Sequence, residues 1–270
     1  MRIQSLKTFL LCLTVGISVS CQRTWHADPA LQKTLLGVSE TITADAQTEK
    51  MIAPYRAKVT KQMAEVIGVA PVSLEKLAVE SPAGNFVADL QRIQAEKLTG
   101  KPVDIGLMTA GGVRTPIRQG NLTVGDIFEL MPFENELMVI TVPAVVVKQL
   151  LIFAAQPHIY ALAPKTISTS NVTYQIQNNQ PQNIMIGGQP FDSTRTYTIA
   201  LSDYLAKGGD NLEFIKNQVS SQKAGMLLRE VIIKHIKELT AEGKPVEASV
   251  EGRVQVIVPT TILTPVEPKR

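Results

Sequence analysis

Residues 109–137 read TAGGVRTPIRQGNLTVGDIFELMPFENEL, and this stretch decides how the chain is expected to fold. The apolar run VDIGLM that precedes it leads into the glycine pair Gly111 and Gly112, which predicts a buried strand that ends in a loop. Thr123 can cap the helix VGDIFELM, and Pro132 ends that helix because proline cannot continue it. The sequence therefore predicts a strand, a glycine loop and a short capped helix in succession.

Helical and strand patterns alternate irregularly on both sides of this stretch. The predicted helices cover 46–60 with an interruption near Pro54, 84–100 with Gly100 as C-cap, 144–155 opened by Pro143, and 223–242. The predicted strands cover 64–70, 72–79, 103–108, 137–142, 172–176, 184–186, 197–201 and 253–258. Since regular βαβ alternation is missing, the sequence predicts an α+β fold, a single mixed α/β domain over residues 40–258.

The N-terminus has the pattern of an export signal. Arg2 and Lys7 precede a short apolar run over 9–19, which predicts a signal peptide over residues 1–20. The following Cys21 resembles the lipidated cysteine of bacterial lipoproteins, although Ser18 stands where leucine is usual, and an ordinary cleaved signal with an incidental cysteine is the alternative. The expectation is an exported, membrane-anchored lipoprotein facing the periplasm or the cell exterior. Its tether would cover 21–39 and a flexible tail 259–270.

Composition and charge narrow the class of protein. The chain has 270 residues, 44% of them hydrophobic, which is enough to bury one continuous core. Its net charge is +3 with acids and bases interspersed, so the sequence predicts no nucleic-acid partner. Cys12 lies in the predicted signal peptide, which leaves Cys21 as the single thiol of the mature chain. Lipidation would use that thiol.

Three polar or glycine-rich segments carry a resemblance to a known family. They are GNFVADL at 84–90, the stretch at 109–137, and LSDYLAKGGDNLEFI at 201–215. In this order, GN…AD, GGVR, PFEN and YLAKGGD resemble the C-terminal, nucleotide-recognition domain of 5'-nucleotidases, UDP-sugar hydrolases and 2',3'-cyclic phosphodiesterases. The resemblance implies an α+β domain that supplies the nucleoside pocket, while a separate metallophosphoesterase domain holds two divalent metals.

The resemblance also implies a set of substrate-binding residues. Phe133 and Tyr204 would stack on the two faces of a base, Asp210 would accept from the ribose hydroxyls, Asn135 would contact the base edge, and Arg114 would bind the phosphate. Each residue also has an ordinary structural interpretation. The aromatic residues could be core side chains, Asp210 and Asn135 could stabilise turns, and Arg114 could be a solvated charge.

The sequence departs from the family in ways that bear on catalysis. The D-x-H, G-N-H-[DE] and G-H-x-H motifs that ligate the metals do not occur, and the histidines His26, His158 and His235 are scattered. We therefore expect no cofactor in this chain and no catalytic residue of its own, with divalent metals only in a partner metallophosphoesterase. The phosphate side also differs from the family. Where the family usually carries an arginine, this sequence has Leu77 and Val79 on either side of Ala78, and Lys76 is the nearest cation. Thr109 replaces an asparagine, and Ser168 and Thr169 replace a glycine pair.

Three functional hypotheses follow. The leading one is the nucleotide- or nucleoside-recognition subunit of a split 5'-nucleotidase, which works in nucleotide catabolism with a separate metallophosphoesterase. The alternative is a stand-alone nucleotide- or nucleoside-binding lipoprotein without hydrolase activity. The third is a degenerate domain kept for a structural or partner-binding role, which the paired aromatic residues disfavour.

Overall fold

The structure is a computed structural model that describes Ser39 and residues 42–257. The predicted signal peptide, Cys21, the tether up to residue 38 and the tail at 259–270 lie outside the described residues. The chain divides into two units between Met51 and Ile52, within the helix α1 (Ala46–Met63). The interruption predicted near Pro54 is wrong, because the helix continues through it. The carbonyl that proline leaves unpaired can bind water on this exposed helix.

The second unit is a mixture of helices and strands. After α1, the helices are α2 (Pro82–Thr99), α3 (Val124–Leu130), α4 (Ala144–Ala154), α5 (Pro157–Tyr160), α6 (Asp203–Ala206) and α7 (Leu228–Ala241). The strands are β1 (Val66–Ala70), β2 (Ile105–Thr109), β3 (Gly120–Thr123), β4 (Glu136–Pro143), β5 (Ile167–Ser170), β6 (Val172–Gln177), β7 (Gln180–Ile186), β8 (Gln189–Pro190), β9 (Thr196–Ser202), β10 (Ser220–Leu227) and β11 (Val254–Val256). This arrangement confirms the α+β fold class.

The central element is a five-stranded mixed sheet in the order β10, β4, β9, β2, β5. Strands β2 and β9 are parallel neighbours, while β4 is antiparallel to β9. The carboxyl ends of β2 and β9 therefore lie at the same end of the sheet as the amino end of β4. This geometry brings the loops after Thr109, after Ser202 and before Glu136 together. A four-stranded sheet (β11, β6, β7, β8) and the pair β1–β3 complete the strands.

Hydrophobic side chains pack on both faces of the central sheet, because successive residues of a strand point to opposite sides. Ile199 and Leu201 of β9 belong to a cluster that includes α4 and the sheet of β6 and β7. Ala200 between them belongs to the opposite cluster, which includes α2 and α7. The five-stranded sheet is thus the middle layer of the fold. Within the described residues, no helix has both the length and the apolar character needed to cross a bilayer.

Local signals predicted several element ends correctly. Gly100 ends α2 in a left-handed conformation with φ of 67°, and its N–H donates to the Glu96 carbonyl. Thr123 caps α3, since its side chain accepts from the Asp126 N–H and the Asp126 carboxylate accepts from the Thr123 N–H in return. Pro143 precedes α4 as the last residue of β4.

Two further sequence predictions are wrong, in addition to the interruption near Pro54. The strand predicted over 72–79 is irregular, with a single antiparallel bridge between Leu74 and Ile117. The long helix predicted from Lys223 begins only at Leu228, because residues 220–227 form the edge strand β10 against β4. Gly225, with φ of 78°, interrupts helical geometry there. Of the strand predicted over 253–258, residues 254–256 form β11.

Candidate functional site

The first wall of the site is the glycine loop after β2. The Gly112 N–H donates to the Thr109 carbonyl at 3.0 Å, which turns the chain sharply. A Cβ atom at Gly112 would lie 2.8 Å from the Met108 sulfur, so a larger residue does not fit without movement. The Arg114 N–H donates to the Leu130 carbonyl at 2.9 Å and ties the loop to the end of α3. The backbone therefore fixes where the Arg114 side chain leaves the loop.

The Lys76 side chain stabilises this glycine loop through hydrogen bonds to its backbone. Its Nζ donates to the carbonyl oxygens of Ala110 and Val113, on either side of the glycine pair. Partial burial and the nearby charge of Arg114 lower the pKa of Lys76. The ammonium group thus uses two of its three N–H donors on the loop backbone. The sequence did not show whether Lys76 could replace the missing arginine near the phosphate. In the structure the Lys76 ammonium group binds the backbone of the glycine loop.

The second wall is the loop between α3 and β4, which carries Phe133 and Asn135. Arg229, at the start of α7 and only 7% exposed, donates to the Phe133 carbonyl at 3.4 Å and to the Glu134 carboxylate at 2.7 Å. Its guanidinium carbon also lies 4.1 Å from the centroid of the Phe128 ring. Arg229 therefore holds the loop in place. Sequence reasoning missed it because it is far from Phe133 along the chain.

The third wall is the loop after β9. The Tyr204 hydroxyl donates to Asp210 Oδ1 at 3.0 Å and accepts from the Asp210 N–H at 3.1 Å. Asp210 and Asn211 both have positive φ, 53° and 66°, so the turn is left-handed at two successive residues. A Cβ atom at Gly209 would lie 2.4 Å from the Tyr204 ring, so glycine is required for the chain to pass the ring. This loop presents a partly exposed aromatic face beside a carboxylate.

The five residues predicted from the sequence surround one cavity. Its volume is about 340 Å³, and its lining consists of Gly111, Gly112, Arg114, Phe133, Asn135, Tyr204 and Asp210. The Arg114 guanidinium carbon lies 6.0 Å from the centroid of the Phe133 ring. The site therefore combines two aromatic rings, one cation, one carboxylate and one amide. The roles of these residues toward a ligand stay predictions.

Charged groups of both signs line the cavity. Asp210 Oδ1 is engaged by Tyr204, whereas Oδ2 accepts no hydrogen bond from another described residue. A Cβ atom at Gly111 would lie 3.2 Å from that Oδ2, so the carboxylate reaches across to the glycine loop. Arg114 is exposed and supplies a positive charge beside Phe133. A ligand with hydroxyl donors, a flat ring and an anionic group matches these features.

The GN…AD motif lies away from this cavity and has a structural role. The Asn85 amide donates to the Glu80 carboxylate at 2.8 Å and to the Ser249 carbonyl at 2.9 Å. Asp89 accepts two hydrogen bonds from the Arg253 guanidinium, at 2.9 and 2.6 Å. The motif therefore attaches the C-terminal segment to α2. Nothing in the spacing of these residues indicated which segment they would bind.

The described residues do not fit a two-metal site. His158 packs edge-on against Phe153, with an interplanar angle of 87°, and His235 of α7 packs against Phe86 of α2. Across residues 42–257, no three His, Cys, Asp or Glu side chains are grouped so that they could hold a metal ion. We therefore derive no metal-dependent step from this part of the chain.

Comparison with known proteins identifies the family. The profile described as "5'-nucleotidase, C-terminal domain" matches residues 60–217, more than half of the chain, so this chain belongs to that family. Protein UshA of Yersinia enterocolitica is 25% identical over 202 residues, covering 74% of this chain and 36% of that protein. NAD 5'-nucleotidase of Haemophilus influenzae is 27% identical over 194 residues, covering 62% of this chain and 31% of that protein.

A solved structure agrees with this assignment. The 5'-nucleotidase precursor from Thermus thermophilus superposes with a TM-score of 0.64 at 25% sequence identity. The match covers 78% of this chain and 43% of that chain. The chain therefore spans less than half of the length of each of these three relatives.

Proposed function

We propose that this domain recognises a nucleoside or nucleotide and serves as the recognition subunit of a split 5'-nucleotidase. In this proposal the two divalent metals are held by a separately encoded metallophosphoesterase. The observation that carries the proposal is the convergence of Phe133, Tyr204, Asp210, Arg114 and Asn135 around one cavity. The name of one relative, an NAD 5'-nucleotidase, supports a nucleotide ligand.

Each group in the cavity has a matching part of a nucleotide. A base between Phe133 and Tyr204 gains on the order of 1–3 kcal/mol from each stacking contact. The free Oδ2 of Asp210 suits a ribose hydroxyl, because a carboxylate only accepts hydrogen bonds. Arg114 can bind a 5'-phosphate with two parallel hydrogen bonds. Asn135 can donate to or accept from a base edge.

A second candidate function is favoured by one feature of the site. All five recognition residues lie in the second unit, so a nucleoside can bind without a residue from another protein. Under this alternative the chain is a stand-alone nucleotide- or nucleoside-binding lipoprotein without hydrolase activity. The two candidates differ in whether a bound nucleotide is hydrolysed when a metallophosphoesterase is present.

We expect the purified protein alone to release no phosphate from AMP when Mg²⁺, Mn²⁺, Zn²⁺ or Co²⁺ is added. The described residues provide no cluster of metal ligands beside Arg114. Proteins that co-purify with this chain from the native membrane would then be mixed with the pure chain and assayed on AMP. If the enzyme is split, one of them is a metallophosphoesterase whose activity on AMP rises when this chain is added. EDTA-sensitive phosphate release by the pure chain would contradict the assignment of the metals to a partner. A co-purified metallophosphoesterase that is unaffected by this chain would favour the stand-alone binder.

We also propose that the chain is exported and held at a membrane by a lipid on Cys21. The basic and apolar N-terminal pattern and the single cysteine left after signal removal support this proposal. Cys21→Ala is expected to move the protein from the membrane fraction to the soluble fraction and to abolish labelling by a fatty-acid precursor. Cys12→Ala is the matched control, because it removes the other cysteine and should change neither result. A Cys21→Ala protein that stays on the membrane would contradict the lipid anchor.

A further inference from the structure

Helix α1 carries an apolar face that the fold does not cover. In the part of the helix that belongs to the second unit, the larger apolar residues recur at spacings of three and four, which places them on one side of the helix. They are Ile52, Tyr55, Val59 and Met63, and together they form the α1 row. Tyr55 is 72% exposed and Val59 is 52% exposed, and no residue of α1 is buried.

An uncovered face of this kind points to a partner surface. Helices in proteins gain most of their stability from packing an apolar face, and isolated helices are marginal in water. Pro54 also costs α1 one backbone hydrogen bond. None of the residues around the nucleotide cavity belongs to α1, so that cavity does not explain the α1 row. Contact with a second surface would remove Tyr55 and Val59 from water and stabilise the helix.

The charges of the helix indicate that this surface is anionic. Residues 50–64 include no acidic residue and four basic ones, Lys50, Arg56, Lys58 and Lys61. Lys58 follows Tyr55 by three residues and Arg56 precedes Val59 by three, so these two cations flank the α1 row on opposite sides. The side chains of Lys58 and Lys61 form no ion pair or hydrogen bond within the described residues. They are therefore available to an anionic partner.

A lipid surface fits these features better than an acidic protein does. Basic helices with an apolar side bind at the surface of anionic membranes, and a tyrosine suits that interface because its ring is apolar and its hydroxyl is polar. Helix α1 begins 25 residues after Cys21. A chain of that length spans at most on the order of 80–90 Å. The lipid proposed for Cys21 would thus hold α1 near the membrane and raise its local concentration there.

We propose that the α1 row lies on an anionic lipid surface, with Tyr55 and Val59 below the headgroups and Lys58 and Arg56 on the lipid phosphates. This contact goes beyond nucleotide recognition, and only the gain in local concentration rests on the proposed lipid anchor. By itself the contact is weak, because two side chains bury little apolar area. Cys21→Ala is therefore still expected in the soluble fraction after the membranes have been washed.

Sedimentation with lipid vesicles tests the proposal on the full-length Cys21→Ala chain, which carries no lipid. One set of vesicles is pure phosphatidylcholine, and the other also contains phosphatidylglycerol. At low ionic strength we expect at least about fivefold tighter binding to the anionic vesicles, and this gain should fall as salt is added. Lys58→Gln should weaken binding to the anionic vesicles about fivefold and leave binding to phosphatidylcholine unchanged. Lys101→Gln, at an exposed lysine outside α1, is the matched control and should change neither value.

Two further substitutions test the apolar side of the contact. Tyr55→Ala and Val59→Ala should each weaken binding to the anionic vesicles by at least about threefold, because each removes apolar area that would leave water. Val145→Ala removes a valine that is 56% exposed on α4 and should leave vesicle binding unchanged. The urea midpoint of each variant should match that of the parent, which shows that lost binding is not lost folding.

The outcomes separate the lipid contact from the nucleotide function. Equal binding to both kinds of vesicle, or parent-like binding by Lys58→Gln, Tyr55→Ala and Val59→Ala, overturns the proposal. A parent chain that binds no vesicle but forms a dimer that Tyr55→Ala dissociates also overturns it, since a second copy would then cover the α1 row. The variants of α1 lie outside the nucleotide cavity and should bind adenosine as the parent does. A chain that binds anionic vesicles as expected but binds no adenosine would contradict only the nucleotide function.

Discussion

Phe133→Ala and Tyr204→Ala are each expected to weaken adenosine binding by roughly 5- to 150-fold, which corresponds to about 1–3 kcal/mol per stacked ring. Both rings line the same cavity, and Tyr204 is 49% exposed, so its face is available to a ligand. The parent affinity should itself be weak, roughly high micromolar to millimolar, because lost translational and rotational freedom offsets much of the stacking energy. Titration calorimetry with each variant measures the change.

Three control variants make this prediction specific to stacking. Tyr204→Phe keeps the ring but removes the two hydrogen bonds with Asp210, so it should bind adenosine much more tightly than Tyr204→Ala. Asp210→Asn should weaken adenosine more than 2'-deoxyadenosine, because the deoxy compound donates fewer hydroxyls. Tyr55→Ala removes a tyrosine that is 72% exposed on α1 and should have no effect. If Phe133→Ala and Tyr204→Ala both fold and bind like the parent, the nucleoside assignment of the cavity fails.

The five candidate residues that line the cavity came from a family resemblance carried by short motifs, and each motif lies in a segment whose local structure can be predicted. A buried strand before the glycine pair, a capped helix before Pro132 and a glycine pair before Asp210 are all visible within about ten residues. Their convergence depends on sheet topology, since β2 and β9 are parallel and β4 is antiparallel to them. Periodicity in a single sequence does not determine strand order, so the expectation that these residues share a pocket came from the family resemblance alone.

The residues that hold the site in place could not be predicted in the same way. Lys76 braces the glycine loop from more than thirty residues upstream, and Arg229 braces the Phe133 loop from more than ninety residues downstream. Isolated basic residues are usually solvated, so neither had a signal of its own. The strand β10 was mistaken for the start of α7 for a related reason. Its pairing with β4 overrides local preference, and tertiary contacts decide such cases.

Hydrogen bonds from Lys76, Arg229 and Tyr204 explain how three separate loops can form a defined pocket. The Phe133 carbonyl is fixed by Arg229, the glycine loop by Lys76, and Asp210 by Tyr204. Lys76 and Arg229 reach their loops from distant parts of the sequence, whereas Tyr204 and Asp210 belong to one loop. Two of the three contacts therefore require the whole fold to be assembled. A change that loosens the fold should therefore weaken ligand binding even when it lies far from the cavity. The attachment of the C-terminal segment provides such a change.

Glu80→Ala is expected to destabilise the protein by roughly 3 to 5 kcal/mol, the largest stability effect that we predict. Glu80 is 5% exposed, and its carboxylate accepts from the Asn85 amide and from the N–H groups of Glu251 and Arg253, at 2.7–2.8 Å. Removing the carboxylate leaves these donors without their acceptor, and an unsatisfied buried donor costs about 1–3 kcal/mol. The urea midpoint should fall, and an unchanged slope would show that the loss is one of stability.

The same variant should release the C-terminal segment before the rest of the domain unfolds. Strand β11 pairs with β6 in parallel, and residues 249–253, just before it, bind Glu80 and the α2 residues Asn85 and Asp89. Limited proteolysis of Glu80→Ala should therefore cleave first near residues 249–256. Glu80→Gln keeps one acceptor oxygen and should lie between the parent and Glu80→Ala. Glu75→Ala removes an exposed carboxylate five residues away and should change stability by less than about 0.5 kcal/mol. If Glu80→Ala unfolds at the same urea concentration as Glu75→Ala, the Glu80 carboxylate does not hold the C-terminal segment.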